Sequence, residues 1–221
     1  MNDRVLVYVP TYRKADGSLA LHPETEKSVR ALEGNRQIIW GLDNPYPVYR
    51  PQDGYDNLCH QLNQGRAAVL NGDFTALLVI EHDMLVPPDA IEKLLSDPAD
   101  IVYGVYLFRH GSPVLNAYRK TCMLEPDQSL TITDEWYPNI LAGAWQVGRV
   151  DVSGCGTGCT LIKRHVLEKL KFRTWENTAP DIPMACDAAK AGFTQAARFD
   201  VICGHFTETG ELLMPERPEA K

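Results

Sequence analysis

The run FTALLVIEHDML, Phe74 to Leu85, constrains the fold more than any other stretch of the chain. Apolar from Ala76 to Ile80 and flanked by Phe74 and Thr75, it suits a strand buried on both faces, as in a parallel sheet covered by helices. It then stops at three ionisable groups side by side, Glu81, His82 and Asp83. In open α/β sheets ligands bind outside the carboxyl ends of the strands, so an acidic cluster there is placed to receive a cation or a polar substrate.

The first half of the chain keeps the rhythm this strand implies. Arg4 to Val9 reads as a strand stopped by Pro10, HPETEKSVRALEG as a capped helix closed by Gly34, and RQIIWGLDN as a second strand. After a Pro-rich loop, Leu58, Leu62, Ala67 and Leu70 at near-helical spacing predict a helix over Asn57 to Leu70. A Pro-started helix, PPDAIEKLLSD, and a strand, DIVYGVYLF, complete an alternation that predicts a mixed, mainly parallel sheet flanked by helices. Past Phe108 the pattern breaks into VLNAYRK, SLTIT, AWQVGRVDVSG and CTLIKR, short strands that predict an antiparallel extension of the same sheet. The helices RHVLEKL and IPMACDAAKAG, the latter starting at Pro183, and the strand RFDVICGHF precede the tail PERPEAK. With 221 residues, no repeat and no linker, one domain is expected.

Composition removes some classes of function. Lys and Arg number 22 against 29 Asp and Glu, a net charge of −7 with no basic run, which gives no generic affinity for nucleic acid or anionic membranes. No apolar run nears the length that crosses a bilayer, and the start MNDRVLVYVP lacks the features of a secretory signal, so the expected location is the cytoplasm of a cell or host. The cysteines at 59, 122, 155, 159, 186 and 203 show no paired CxxC spacing and are expected to be buried free thiols.

Four features carry chemistry. Glu81 and Asp83, two apart, can converge on a hard divalent ion. In GCGTGCTLIKR, three glycines in five residues, with Gly156 at their centre, allow a tight bend or a ligand's close approach. Asp181, just before the expected helix start, suits a cap or a general base. His205, at the far end of the last apolar strand, offers the nitrogen ligand that the acidic triplet lacks.

In this order the features resemble the glycosyltransferases of the GT-A fold, particularly the family 2 group and its small bacterial and phage relatives, over roughly Arg4 to Phe206. The resemblance implies that Pro10, Thr11 and Tyr12 lie against the nucleotide and that Asp43, in GLDN, reads its base or ribose. It makes Glu81, His82 and Asp83 a DxD-like motif, with Asp83 on the metal, Glu81 on it through water or on the ribose, and His205 as a further ligand. Asn63 and Arg66 are expected at the nucleotide edge, and Gly156 in the floor of the sugar and acceptor site. Asp181, eleven residues before Gly192, matches the relatives' catalytic aspartate, although Pro180 stands where they carry Glu; Asp187 is the fallback. Trp136, Trp145 and Trp175 are weaker candidates for stacking on an acceptor.

The function implied is metal-dependent hexosyl transfer, with Mn2+ or Mg2+, from a nucleotide-diphosphate sugar to a hydroxyl of a saccharide, small molecule, protein or modified DNA base. Residues 1–108 would form the nucleotide-binding half, 109–206 the acceptor and catalytic half, and 207–221 a tail. The alternatives are a nucleotidyltransferase and a catalytically silent binding protein on the same scaffold.

Overall fold

The computed structural model describes residues 3–14, 16–108, 115–118, 123–124, 130–131, 148–175 and 178–216. Their strands are β1 (Val5–Pro10), β2 (Arg36–Gly41), β3 (Ala76–Ile80), β4 (Met84–Leu85), β5 (Ile101–Val105), β6 (Ala117–Tyr118), β7 (Met123–Leu124), β8 (Leu130–Thr131), β9 (Arg149–Asp151), β10 (Gly154–Cys155), β11 (Cys159–Lys163), β12 (Gln195–Ile202), β13 (Gly204–Phe206) and β14 (Leu212–Leu213). The helices are α1 (Pro23–Ala31), α2 (Pro51–Asn71), α3 (Ala90–Leu95), α4 (Arg164–Lys169) and α5 (Asp181–Lys190).

A seven-stranded sheet runs in the order β2-β1-β3-β11-β5-β12-β9. Strands β2, β1 and β3 are mutually parallel, as are β5 and β12. In this sheet β9 lies antiparallel on the edge beside β12, and β11 lies in the middle, antiparallel to both β3 and β5; the strands of VLNAYRK and SLTIT do not extend it as expected but pair in separate small antiparallel sheets, β6 with β10 and β8 with β7. Alternation along each central strand divides the core. Leu6, Tyr8, Leu77 and Val79 face one layer with Leu62 and Val69 of α2 and Val166 of α4. Val5, Val7, Leu78 and Ile80 face the other with Val29 of α1 and Ile91 and Leu94 of α3. Burial on both faces explains why these strands read as unbroken apolar runs.

Two helix starts differ from the sequence expectation. Helix α2 begins at Pro51, six residues before Asn57, because Pro51 occupies the first turn and Asp53 closes a capping box with Arg50. The polar first turns hide this start from an apolar-periodicity reading. Helix α5 begins at Asp181 rather than Pro183, with Pro180 in the capping position. The expected free thiols are present at Cys59, Cys155, Cys159 and Cys203, whereas Cys186 takes part in a disulfide, which its isolated spacing does not reveal.

The end of α2 is closed by Arg164. Its Nη1 donates to the carbonyls of Val69 and Gly72 at 2.9 Å and of Phe74 at 3.1 Å, and its Nη2 to Leu70 at 2.9 Å. These include carbonyls a helix end leaves without partners. Arg164→Ala is therefore expected to lower Tm by about 5 to 10 °C, reflecting a loss of about 2–3 kcal/mol. Arg164→Lys should recover little of it, because one ammonium lacks the fork that spans the carbonyls. A thermal melt of Arg164→Ala matching wild type would refute this role.

Candidate active site

Past Ile80 the chain leaves the sheet. The Glu81 N–H donates to the Gly158 carbonyl at 3.1 Å, and the Met84 N–H turns back to the Glu81 carbonyl at 3.2 Å, so the triplet forms a turn into β4. Beyond β12, strand β13 pairs antiparallel with β4, setting His205 opposite Met84. The Phe206 N–H donates to the Asp83 carbonyl at 2.8 Å. This register brings together two residues distant in sequence: His205 Nε2 stands 3.6 Å from Asp83 Oδ2, and both residues are buried.

The proton positions follow from the partners. His205 Nδ1 lies 2.8 Å from the Leu107 carbonyl oxygen, which only accepts, so Nδ1 carries hydrogen and Nε2 is turned to Asp83. Burial alone would lower the His205 pKa, but Asp83, the Leu107 carbonyl and Glu81 together outweigh burial and raise it. A neutral imidazole and a carboxylate facing each other are two acceptors, and the gap between them suits a proton or a metal ion. The donor set fits a divalent ion of the Mn2+ or Mg2+ kind, one carboxylate and one imidazole, with the remaining positions left to water or substrate phosphate. Among the described residues no group of three or more His, Cys, Asp or Glu side chains is arranged to hold an ion alone.

Two further carboxylates adjoin. Glu81 Oε1 accepts from the Thr157 hydroxyl at 2.7 Å, and burial, with Asp83 and Asp181 adding repulsion, raises its pKa. Burial likewise pushes Asp181 up to about 6, although the Ile182 N–H, 2.9 Å from its Oδ1, favours the charged form. Glu81, repelled by two neighbouring carboxylates, marks a place where positive charge is welcome.

A cavity of about 890 Å3 opens over the triplet. It is lined by Pro10, Thr11, Tyr12 and Arg13 after β1, by Leu42, Asn44, Tyr46 and Val48 after β2, by residues of α2 that include Tyr55, Asn57 and Gln61, and by Glu81, His82 and Asp83. The Tyr12 ring meets His82 edge-on at 5.8 Å. Ala179, two residues before Asp181, also lines it.

Several expected residues lie elsewhere. Asp43 turns away from the cavity to α2, where Gln64 Nε2 donates to it at 2.7 Å and His60 Nε2 sits 2.9 Å away; Asn44 is the residue of GLDN that faces the cavity. Asn63 is committed to the Phe172 peptide, accepting from its N–H at 3.1 Å and donating to its carbonyl at 2.8 Å. Arg66 Nε donates to the Leu167 and Leu170 carbonyls at 2.7 Å, closing the end of α4. Asp187 is held by the Arg173 guanidinium at 2.7 and 2.9 Å, a bidentate pair that leaves it ill-suited to take a proton. Gly156 is packed beneath Tyr106 and Phe108 and does not line the cavity. Trp175 sits under the Arg173 guanidinium at 5.1 Å, while Trp136 and Trp145 lie outside the described residues. Sequence reasoning passed over Asn44, Tyr46, Tyr55, Asn57, Gln61 and Thr157. The signal available for two of them was the four-residue spacing of Asn57 and Gln61 on one helix face.

Comparison with solved structures places this arrangement on a GT-A-like fold. The chain is similar to A197 from STIV, with a TM-score of 0.60 and 16% identity over 99% of this chain and 97% of that one. It is also similar to the mannosyltransferase PcManGT from Pyrobaculum calidifontis, solved in complex with GDP-Man and Mn2+, with a TM-score of 0.53 and 19% identity. That match covers 92% of this chain and 56% of the mannosyltransferase. No protein-family model and no curated protein matches the sequence. Among the described residues no helix is long and apolar enough to cross a membrane.

Proposed function

We propose that the protein is a metal-dependent glycosyltransferase that moves a sugar from a nucleotide-diphosphate sugar to a hydroxyl-bearing acceptor. The observation that carries this reading is the buried Asp83–His205 pair, whose Asp83 lines a nucleotide-sized cavity at the carboxyl end of β3. A solved relative by fold that holds GDP-Man and Mn2+ supports both the donor class and the ion. An ion held by Asp83 and His205 would supply Lewis-acid neutralisation of the diphosphate leaving group.

The chain's own residues do the rest. Tyr12 and Tyr46 offer flat faces to a base or ribose, and Arg13 offers positive charge beside the diphosphate. Thr157 holds Glu81 at one oxygen, keeping it in the floor. Asp181, behind the cavity edge at Ala179, takes the proton of the acceptor hydroxyl. Only the carboxylate can do this. With its pKa at about 6, kcat/KM should rise with pH through about 6 and then level off. A profile that is flat from about pH 5 to 8 would remove Asp181 from this role.

The functional test is a panel of UDP-, GDP-, dTDP- and ADP-sugars, with and without Mn2+, read as free nucleoside diphosphate. Metal-dependent release with one donor is the expected result. In a parallel reaction supplied with nucleoside triphosphates and sugar 1-phosphates, release of pyrophosphate would assign nucleotidyl transfer instead, and no release of nucleoside diphosphate from any donor would defeat the proposal.

A further inference from the structure

Helix α2 carries a row of polar side chains on its buried face. Asp53, Asn57 and Gln61, one per turn, are 8%, 5% and 2% exposed. All three grip main chain. Asp53 Oδ2 accepts from the N–H groups of Tyr49 and Arg50 at 2.9 Å. Asn57 accepts from the Tyr46 N–H at 3.0 Å and donates to the Tyr46 carbonyl at 2.8 Å. Gln61 does the same to Thr11, at 3.1 Å from its N–H and 2.8 Å from its carbonyl. Its Nε2 also donates to Asn44 Oδ1 at 2.7 Å, and Asn44 Nδ2 donates to the Thr11 carbonyl at 3.1 Å. The seat for Gln61 exists because residue 41 is glycine: a Cβ there would lie 2.5 Å from Gln61 Oε1.

A carboxamide that bonds both the N–H and the C=O of one residue acts as a neighbouring strand would. Thr11, on the loop after β1, and Tyr46, on the loop after β2, both line the cavity. Since Asn57 and Gln61 sit one turn apart on one helix, α2 fixes where each of these loop residues stands relative to the other. We infer that Asn57 and Gln61 are positioning residues that hold the two loops, at Thr11 and Tyr46, in the placement a nucleotide donor requires, so that the cavity is pre-formed before ligand arrives. The inference rests on the reading of the cavity as a nucleotide-sugar site. A pre-formed wall avoids the cost of ordering a loop on binding, which is the cost that would reappear in a variant.

Asn63 provides a matched comparison. It lies on the same helix and grips the Phe172 peptide through the same pair of bonds, but away from the cavity. The experiment is isothermal titration of GDP, and of UDP in parallel, with MnCl2 present, against wild type, Asn57→Ala, Gln61→Ala and Asn63→Ala. All three variants should lose thermal stability. Asn57→Ala and Gln61→Ala should in addition bind the nucleotide about tenfold or more weakly, with Asn63→Ala within about twofold of wild type. In turnover the same two variants should raise the donor KM and leave kcat at saturating donor near wild type. If an alanine variant does not fold, the near-isosteric Asn57→Leu and Gln61→Met, which keep bulk and lose both bonds, carry the same comparison. Equal binding by Asn57→Ala, Gln61→Ala and Asn63→Ala overturns the positioning role while leaving the nucleotide site in place. Failure of the wild type to bind either nucleotide overturns both.

Discussion

Asp83→Ala is expected to lower sugar transfer by about two to three orders of magnitude while Tm stays within a few degrees of wild type. Without its carboxylate, His205 Nε2 has lost the group it faces across 3.6 Å, and an ion between them loses its charged ligand. The diphosphate would then leave without neutralisation, and interactions of that kind are the largest catalytic contributions. Stability should change little because two effects oppose. The imidazole loses a partner, but Glu81 loses a neighbour whose negative charge raises its pKa. Initial rates with the donor found in the panel, alongside circular dichroism, measure both. A variant that keeps more than about a tenth of wild-type rate would remove Asp83 from the catalytic centre.

Gly158→Ala is expected to cost about 2–3 kcal/mol and about 5 to 10 °C in Tm. Its Cβ would lie 2.7 Å from Tyr106 Cζ, 2.8 Å from Cε1 and 3.0 Å from Met84 Sδ. Tyr106 cannot retreat. It is buried, its hydroxyl accepts from the Gly158 N–H at 3.1 Å, and its ring abuts His205 edge-on at 5.4 Å. Gly156 meets the same hydroxyl, so the glycine-rich stretch serves as a bed for Tyr106, and through that ring for His205. Strain placed there should displace the imidazole, weakening Mn2+-dependent nucleotide binding in the part of the population that remains folded. Melts and titrations of Gly158→Ala with GDP and Mn2+ test this. A Tm within about 2 °C of wild type would show that the bed has slack.

Much of the architecture could be read from residues alone, for identifiable reasons. Strands β1, β3 and β5 are buried on both faces and so appear as apolar runs. His205 and the EHD triplet were legible because both end such runs. The central place of β11 was not, since CTLIKR has the same composition whether it lies at an edge or in the middle. At Asp43 the difficulty was orientation. Strand β2 stops at Gly41, and beyond a strand end the alternation no longer says which neighbour faces the site, so Asn44 took the place expected of Asp43. Asn63 and Arg66 were polar groups on a helix with two possible destinations, and both went to the α4 side. The row on α2 escaped for the opposite reason: amides on a helix ordinarily read as a solvated face.

The central position of β11 bears on how the chain can be made. Strands β3 and β5 do not touch; each pairs with β11, which fills a gap of about 10 Å between them. A ribosome delivers β3 and β5 long before residues 159–163. Until then β3 has one unpaired edge and β5, whose partners β11 and β12 both come later, has two, all of them apolar, the kind of surface that invites mispairing between chains. The first 108 residues, self-contained as they look in sequence, therefore await a keystone from the second half, and a fragment ending at Phe108 should aggregate rather than fold.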